Sequence, residues 1–315
     1  MTGVHGTTLA IDAGQTGTKV RVEQAGGVAY EQVLPGVLTH EPLLPQLADA
    51  VRRVHDATGI VPATISSGVS GLTDRGADAA ALLGLVSDLG ARRVLLAHDS
   101  ITSFLGTLGD ARGAVVASGT GVVTLAVGRT AVARVDGWGN IMGDAGSGYW
   151  IGREALDAGM RAHDGRGPRT RITDVMHERW DDLEEAYIEL QGAEDRIRIV
   201  ASFAEATAAL AEAGDPVADR ICLRAAQELA HSVSSALRRV AHADDRTDDG
   251  PVISAIGGVF RARRIRSRFE DLLRTWHPAL RMEAPHGTGL DGASVLAGLP
   301  AGHPLRIHVA VASTE

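Results

Sequence analysis

TTLAIDAGQTGTKVRVEQ (Thr7–Gln24) is a short apolar run, a turn rich in glycine, hydroxyl and amide groups, and a second run in which apolar residues alternate. Two β-strands joined by a tight turn are the natural reading, because period-two patterning bounded by glycine marks half-buried strands. GGVAYEQVL continues in the same manner after a Gly-Gly turn, adding a third antiparallel strand. The pattern restarts about a hundred residues later. GAVVASGTG (Gly113–Gly121) is again an apolar run ending in a small-residue turn, followed by the short strands VVTLAVG and TAVARVDG. Two strand–glycine turn–strand units at similar places in two halves indicate an internal duplication.

Between these units, PLLPQLADAVRRVHDATG places Leu43, Leu47, Val51 and Val54 at helical spacing and ends in glycine. TISSGVSGL and RRVLLAHDS read as buried strands around the helix DRGADAAALLGLVSDLG. The first half is therefore β-β-β-α-β-α-β. In the second, helical patterns are expected over Gly148–Gly159, Glu194–Ala213 and Pro216–Ala243. The strand VISAIGGVF, the basic helix RARRIRSRFEDLLRTW, the strand LRMEA and the helix LDGASVLAGL follow. The expected division is an N-terminal lobe over 1–110 and a C-terminal lobe over 111–300, with Thr107–Gly113 as linker. A tail over 301–315 either adds an edge strand, returning to the N-terminal lobe, or stays unstructured. Each half would carry a mixed sheet with helices, and a ligand would sit in the cleft between them.

The net charge of -8 argues against nucleic acid as partner, since phosphate-backbone binding needs a basic face. An acidic chain still binds phosphate ligands through backbone amides and a metal. Cys222 is the single cysteine, which excludes a disulfide framework and argues against a cluster held within one chain. MTGVHGTTLAID lacks a basic segment followed by an apolar run, and no stretch of about 18 apolar residues occurs. A soluble cytoplasmic protein without membrane contact is expected.

Five motifs carry chemistry. IDAGQTGTK (Ile11–Lys19) gathers backbone N–H groups into a concave array suited to phosphate oxygens, with Asp12 placed to hold Mg²⁺ through water. An ordinary hairpin turn is the competing reading. ASGTG (Ala117–Gly121) is the matching turn of the second half, where Ser118 and Thr120 add hydroxyls to the amides of Gly119 and Gly121. LLAHDS (Leu95–Ser100) sets Asp99 at the mouth of a buried strand, where it can accept a proton from an attacking hydroxyl. Alternatively, Asp99 or Ser100 is a helix N-cap. In GWGNIMGDAGSGYWIG (Gly137–Gly152), Gly143, Gly146 and Gly148 permit close ligand approach and Asp144 can accept hydrogen bonds from sugar hydroxyls. Ser147 reads there as an N-cap, and Trp138 and Trp150 as core anchors. SAIGGVFRARR (Ser254–Arg264) lets an adenine and ribose lie flat on backbone, or is a plain β-α connection.

In this order the motifs resemble those of the sugar kinase, hsp70 and actin superfamily: first phosphate loop, connecting region, second phosphate loop and adenosine motif. GWGNIMGDAGSGYWIGREAL resembles the signature of the BadF/BadG/BcrA/BcrD ATPase family, in its N-acetylglucosamine kinase-like branch. The resemblance implies an α/β, actin-like ATPase fold of two ribonuclease H-like lobes with mixed sheets and an interlobe active-site cleft. It implies ATP and Mg²⁺ as cofactors and a small-molecule sugar as substrate; a homodimer is compatible with it. By position, Asp99 matches the base that deprotonates the sugar 6-hydroxyl. Asp12, Gly14, Gln15, Thr16 and Lys19 match the first phosphate loop, and Ser118, Gly119, Thr120 and Gly121 the second. Gly257 and Gly258 match the nucleotide-binding glycines. Asp144, Gly143, Thr39, His40 and Gly71 fall in the sugar-contacting set.

Three departures bear on the choice of sugar. Ala145 stands where the family usually has an acid after the aspartate. GVLTHEP lacks the usual asparagine after the third strand, leaving Thr39 or His40 to serve. His98 replaces the asparagine that usually precedes the catalytic aspartate. The implied activity is an ATP-dependent kinase for N-acetylglucosamine or glucosamine, with N-acetylmuramate or N-acetylmannosamine as alternatives. The family's other branch, activators of acyl-CoA dehydratases and reductases, needs bridging cysteines that a lone Cys222 does not supply. A catalytically silent sugar- or ATP-binding regulator is the reading of a different class. No helix-turn-helix pattern precedes Thr7, and the presence of Asp12, Asp99 and Asp144 favours an enzyme.

Overall fold

The computed structural model describes residues 6–241 and 250–314. They fall into two units: residues 6–111, 129–132 and 284–314 in the first, and residues 112–128 and 133–283, apart from 242–249, in the second.

The first unit opens with β1 (Thr8–Ala13), β2 (Thr18–Gln24) and β3 (Gly27–Leu34). It continues with α1 (Leu43–Thr58), β4 (Thr64–Val69), α2 (Ala79–Val86), β5 (Arg93–His98) and α3 (Asp99–Leu108). The second contains β6 (Gly113–Ser118), β7 (Val122–Val127), β8 (Val132–Asp136), α4 (Gly139–Met142) and α5 (Gly148–His163). α6 (Ile172–His177), α7 (Ala186–Gly192), α8 (Arg196–Glu212) and α9 (Pro216–Val240) lead to β9 (Val252–Ile256), α10 (Arg263–Trp276) and β10 (Arg281–Met282). α11 (Gly289–Leu296) and β11 (Ala310–Ser313) return the chain to the first unit.

Sheet order reveals the duplication. The first sheet runs β11-β5-β4-β1-β2-β3 and the second β10-β9-β6-β7-β8. In both, a hairpin (β1–β2, β6–β7) is extended by a parallel partner of its first strand (β4, β9). Both glycine turns therefore occupy the same topological place.

β1 is apolar from Leu9 to Ile11 because both its faces are covered there. Leu9 and Ile11 join Leu47, Val51, Ile65 and Leu96 in one core, while Ala10 packs with Leu290 and Ala293 of α11 on the other. α11 crosses α3 at backbone contact: a Cβ at Gly106 would lie 1.7 Å from the Thr288 carbonyl, and one at Gly292 1.7 Å from that of Thr102. This close packing ties the helix LDGASVLAGL to the first unit, whereas the sequence pattern groups it with the second half. The tail's β11 pairs antiparallel with β5.

α11 begins in a capping box of Thr288 and Asp291, and Asp291 also receives Arg21 Nη1 at 2.7 Å. Burial alone would raise the Asp291 carboxyl, but Arg21 and Thr288 hold it down at about 2. A depressed carboxylate stabilises the fold above its unfolded value near 3.9, and that contribution is lost as pH falls through the folded value. Asp291→Ala should cost about 1–2 kcal/mol in urea unfolding at pH 7, the size of a lost helix cap, and the difference from wild type should shrink toward pH 2.

Several elements differ from the sequence pattern. The strand expected over LRMEA is reduced to two residues, and α6 and α7 fill a stretch whose periodicity is too short to stand out. The helix expected to reach Ala243 is observed to Val240; positions 242 and 243 lie outside the described residues, as do positions 1–5 and 315 of the expected lobe and tail. Arginines of α10 are ion-paired on the surface, Arg264 to Asp219 and both Arg266 and Arg274 to Glu270.

Candidate functional site

In the first unit, Asp12 stands one residue before the end of β1, directly opposite Lys19 on β2, and Lys19 Nζ stands 3.8 Å from its Oδ2. The turn between them is closed by the Gly14 N–H donating to the Gly17 carbonyl at 3.1 Å, leaving Gln15 and Thr16 exposed. Gly36 braces it from behind. A Cβ there would lie 2.1 Å from the Gln15 carbonyl oxygen, and the Val37 N–H donates to the Gly14 carbonyl. Sequence reasoning missed Gly36; its only signal is the Pro-Gly that follows β3. Burial raises the Asp12 carboxyl, Lys19 opposes this, and the charge of Asp99 adds to the rise.

Asp99 is the first residue of α3, yet it does not cap the helix. His98 does: extended at φ -62 and ψ 143, it accepts the Ser100 N–H on Nδ1 at 3.1 Å. The Asp99 carboxylate is thereby left for other work. Burial would raise it, but His98, Ser70 and the Ser100 amide together hold it below the ordinary carboxylate range. Oδ1 lies 2.9 Å from His98 Nδ1, yet it is a buried oxygen without an aligned hydrogen-bond partner among the described residues. The side chain keeps 26% of its surface exposed, so a carboxylate held ionised there is suited to accept a proton. Gly71, at φ +75, would bring a Cβ 2.8 Å from Thr39 Cγ2, so two of the expected sugar-contacting positions touch; His40 beside them is exposed.

In the second unit, the Ser118–Gly121 turn is pinned on three sides. The Gly148 N–H donates to the Gly119 carbonyl at 2.7 Å and the Tyr149 N–H to that of Thr120 at 3.1 Å, so the start of α5 buttresses it. Ser118 Oγ, fully buried, donates to the Gly146 carbonyl. Gly257, at φ +101, lets β9 pass so close that a Cβ would lie 2.2 Å from the Ser118 carbonyl oxygen.

Asp144 belongs to the same construction. It is buried at φ +61, and its Oδ1 accepts the Val122 N–H at 3.4 Å. Its Oδ2 would meet a Cβ at Gly121 at 2.8 Å. Burial raises its carboxyl above the ordinary value. Asp136, which the sequence did not single out, accepts the N–H groups of both Gly137 and Asp144 on Oδ1 and so fixes this loop. The glycines around it are filled by protein: Gly143 faces Asp136 and Trp138, Gly146 the Ala225 carbonyl, and Gly148 that of Gly119. Ser147 caps α5 through the Trp150 N–H. The tryptophans are not core anchors. Trp138 is 55% exposed, and Trp150 is half-buried beneath the Arg224 guanidinium at 5.1 Å.

Beside the turn lies a cavity of about 560 Å³ that brings together Gly119, Thr120, Gly148 and Gly258. One wall is the small-residue face of α8, with Ala201, Ala204 and Ala208, and its rim carries Glu205, Glu212 and Arg261. The signal for that wall is ASFAEATA, small residues at helical spacing. A flat apolar wall next to exposed amides and carboxylates suits a planar base with a polyol and phosphates attached. Cys222 is buried in α9 and its thiol is pushed up to about 12 by burial, which disfavours a thiolate ligand.

Mg²⁺ requires hard oxygen ligands and commonly takes one or two carboxylates together with substrate phosphates and water. Among the described residues no group of three or more His, Cys, Asp or Glu is placed to hold a metal. Asp12 thus fits an ion that arrives with a phosphate ligand, and no all-protein cage is offered. No helix among these residues is long and apolar enough to cross a membrane.

The model of the BadF/BadG/BcrA/BcrD ATPase family matches residues 9–297. An N-acetyl-D-glucosamine kinase of Dictyostelium discoideum is 28% identical over 213 residues, covering 65% of this chain and 66% of its own length. An N-acetylmuramic acid/N-acetylglucosamine kinase of Clostridium acetobutylicum is 27% identical over 240 residues, 71% of this chain and 74% of its own. Among solved structures, a candidate N-acetylglucosamine kinase from Chromobacterium violaceum superposes with a TM-score of 0.70 at 22% identity, over 93% of this chain and 99% of that one, a likeness of fold.

Proposed function

The chain belongs to the BadF/BadG/BcrA/BcrD ATPase family, and from that premise we propose that it is an ATP-dependent amino-sugar kinase, transferring the γ-phosphate to O6 of N-acetylglucosamine or glucosamine. The observation that carries the reading is Asp99: a carboxylate held ionised, left free of capping α3 by His98 and with 26% of its side chain exposed. Phosphoryl transfer asks little covalent chemistry of a protein and is mainly positioning and charge stabilisation.

The roles divide as follows. Asp99 accepts the proton of the attacking hydroxyl through the exposed part of its carboxylate. The amides of Gln15 and Thr16 in the first unit, and of Thr120 and Gly121 in the second, donate to phosphate oxygens, while the Gly14 and Gly119 amides close the two turns. Gly258 and the α8 wall take the adenine, with Glu205 or Glu212 on the ribose. Asp12 holds Mg²⁺, which supplies charge neutralisation on the phosphates. Asp144, braced by the Val122 amide, contacts the sugar along with Gly143, Thr39 and Gly71. A cytoplasmic setting and sugar and ATP as the working partners follow from this reading.

Coupled ADP release measured with glucosamine, N-acetylglucosamine, N-acetylmuramate, N-acetylmannosamine and glucose tests it. Turnover is expected with an amino sugar; no ADP from any of the five would overturn the proposal. N-acetylmuramate belongs in the panel because one relative is named for both sugars and Ala145 removes an acid that would repel its lactyl carboxylate.

The pH profile offers a second check. Since Asp99 stays ionised below the ordinary carboxylate value near 3.9, kcat/KM should show no acid limb from this group between pH 5 and 8. In His98→Ala, burial acts with less opposition and the carboxyl rises, so the acid limb should lie at higher pH than in wild type. An unchanged profile would remove His98 from the account.

A further inference from the structure

The chain has 31 lysines and arginines, and Lys19 is its only lysine. At thirty positions the basic residue is arginine. The exception stands directly across the strand pair from Asp12, the carboxylate assigned to the metal.

Arginine's use elsewhere explains the contrast. On the same strand, Arg21 grips Glu31 and Asp291, each at 2.7 Å. Arg52 holds Asp88 with two bonds of 2.8 and 3.0 Å. A guanidinium presents a rigid fork that locks onto a carboxylate through parallel hydrogen bonds. An ammonium is a compact, strongly hydrated point charge on a flexible stem. Lys19 accordingly sits 3.8 Å from Asp12, beyond the 2.7–2.9 Å of a charge-assisted hydrogen bond, with its side chain half exposed. Asp12 itself has only 19% of its side chain exposed and is closed from behind by the first turn of α11, where a Cβ at Gly289 would lie 2.8 Å from Oδ1. Such a carboxylate needs a neutralising charge, but one that can leave.

We propose that Lys19 is an exchangeable counter-ion of Asp12: it neutralises the carboxylate in the ligand-free protein and yields it to a divalent cation, so the position demands an ammonium and excludes a guanidinium. Released from Asp12, the same ammonium is free to meet the phosphates that accompany the metal. This rests on the metal role given to Asp12 in the proposed function.

Because Lys19 carries the only side-chain amine, the exchange can be read without turnover. The full-length protein is acylated with an N-hydroxysuccinimide acetate ester, and Lys19 modification is followed by mass spectrometry with the terminal amine as internal standard. A large excess of Mg²⁺, enough to load a single carboxylate without a phosphate ligand, compared with NaCl of equal ionic strength, should raise Lys19 acylation at least twofold, toward the rate in Asp12→Asn. In Asp12→Asn the rate should be high from the start and indifferent to Mg²⁺. Equal rates in wild type and Asp12→Asn, or no response to Mg²⁺, would overturn the proposal. If an amino sugar supports ADP release, Lys19→Arg should also raise the Mg²⁺ concentration for half-maximal turnover at least tenfold; an unchanged requirement counts against the exchange while leaving the kinase reading intact. If no sugar supports ADP release, the kinase reading fails and the acylation experiment still decides the exchange.

Discussion

Asp99→Asn should lower kcat for sugar phosphorylation by about 10²–10⁴-fold, the range expected when a positioned general base is removed, while leaving the fold intact. The substitution keeps the shape of the side chain but removes the charge and the basic lone pair. The helix is indifferent to it, because His98 and not Asp99 caps α3. The side chain is surrounded by groups that favour a carboxylate, His98, Ser70 and the Ser100 amide, and an asparagine carboxamide can satisfy part of that set. Thermal unfolding and far-ultraviolet circular dichroism should therefore match wild type, and KM for ATP should change little. Near-normal turnover in this variant would mean that another group takes the proton.

Gly257→Ala should damage the second unit and its Ser118–Gly121 turn together. Two effects act together. At φ +101 an alanine is strained, at a cost of about 1–3 kcal/mol. Its Cβ would also lie 2.2 Å from the Ser118 carbonyl oxygen. The strand cannot move aside, because β9 is locked to β6 through Ala117 and Ile256 at this very end of the ladder. The displacement must pass into the Ser118–Gly121 turn, whose amides are assigned to phosphate. The expected result is a lower melting temperature and an affinity for ATP reduced at least tenfold by calorimetry. Gly258→Ala is the control for stability: nothing lies within 4 Å of its added Cβ and its φ is ordinary, so its melting temperature should match wild type.

Much of this was legible in the sequence. Both hairpin turns announce themselves through glycine and hydroxyl residues between alternating runs, and Asp99 through its place after a buried apolar strand. What escaped depends on contacts distant along the chain. Gly36 and Gly106 matter, and Gly257 matters beyond the nucleotide role implied for it, because another backbone passes within touching distance, which nothing local reveals. Asp136 looks like an ordinary residue at a strand end until Asp144 folds back onto it. His98 took the capping role because its extended backbone points Nδ1 at the Ser100 amide, an arrangement that residue preferences assign to Asp or Ser. In GWGNIMGDAGSGYWIG the abundance of glycine suggested clearance for a ligand, whereas Gly146, Gly148 and Gly152 are cleared for the carbonyls of Ala225, Gly119 and Val200. The glycines of this stretch clamp the second turn in place, and Asp144, at positive φ, is the side chain they present.

The central claim is that Asp99 directs an amino-sugar hydroxyl onto the terminal phosphate of ATP. Product analysis by phosphorus NMR tests it most directly, with the wild-type chain, Mg²⁺, ATP and N-acetylglucosamine or glucosamine. The account predicts one sugar 6-monophosphate for each ADP formed, and both products formed at least about a hundredfold more slowly with Asp99→Asn. ADP accompanied by free phosphate and unmodified sugar would contradict it.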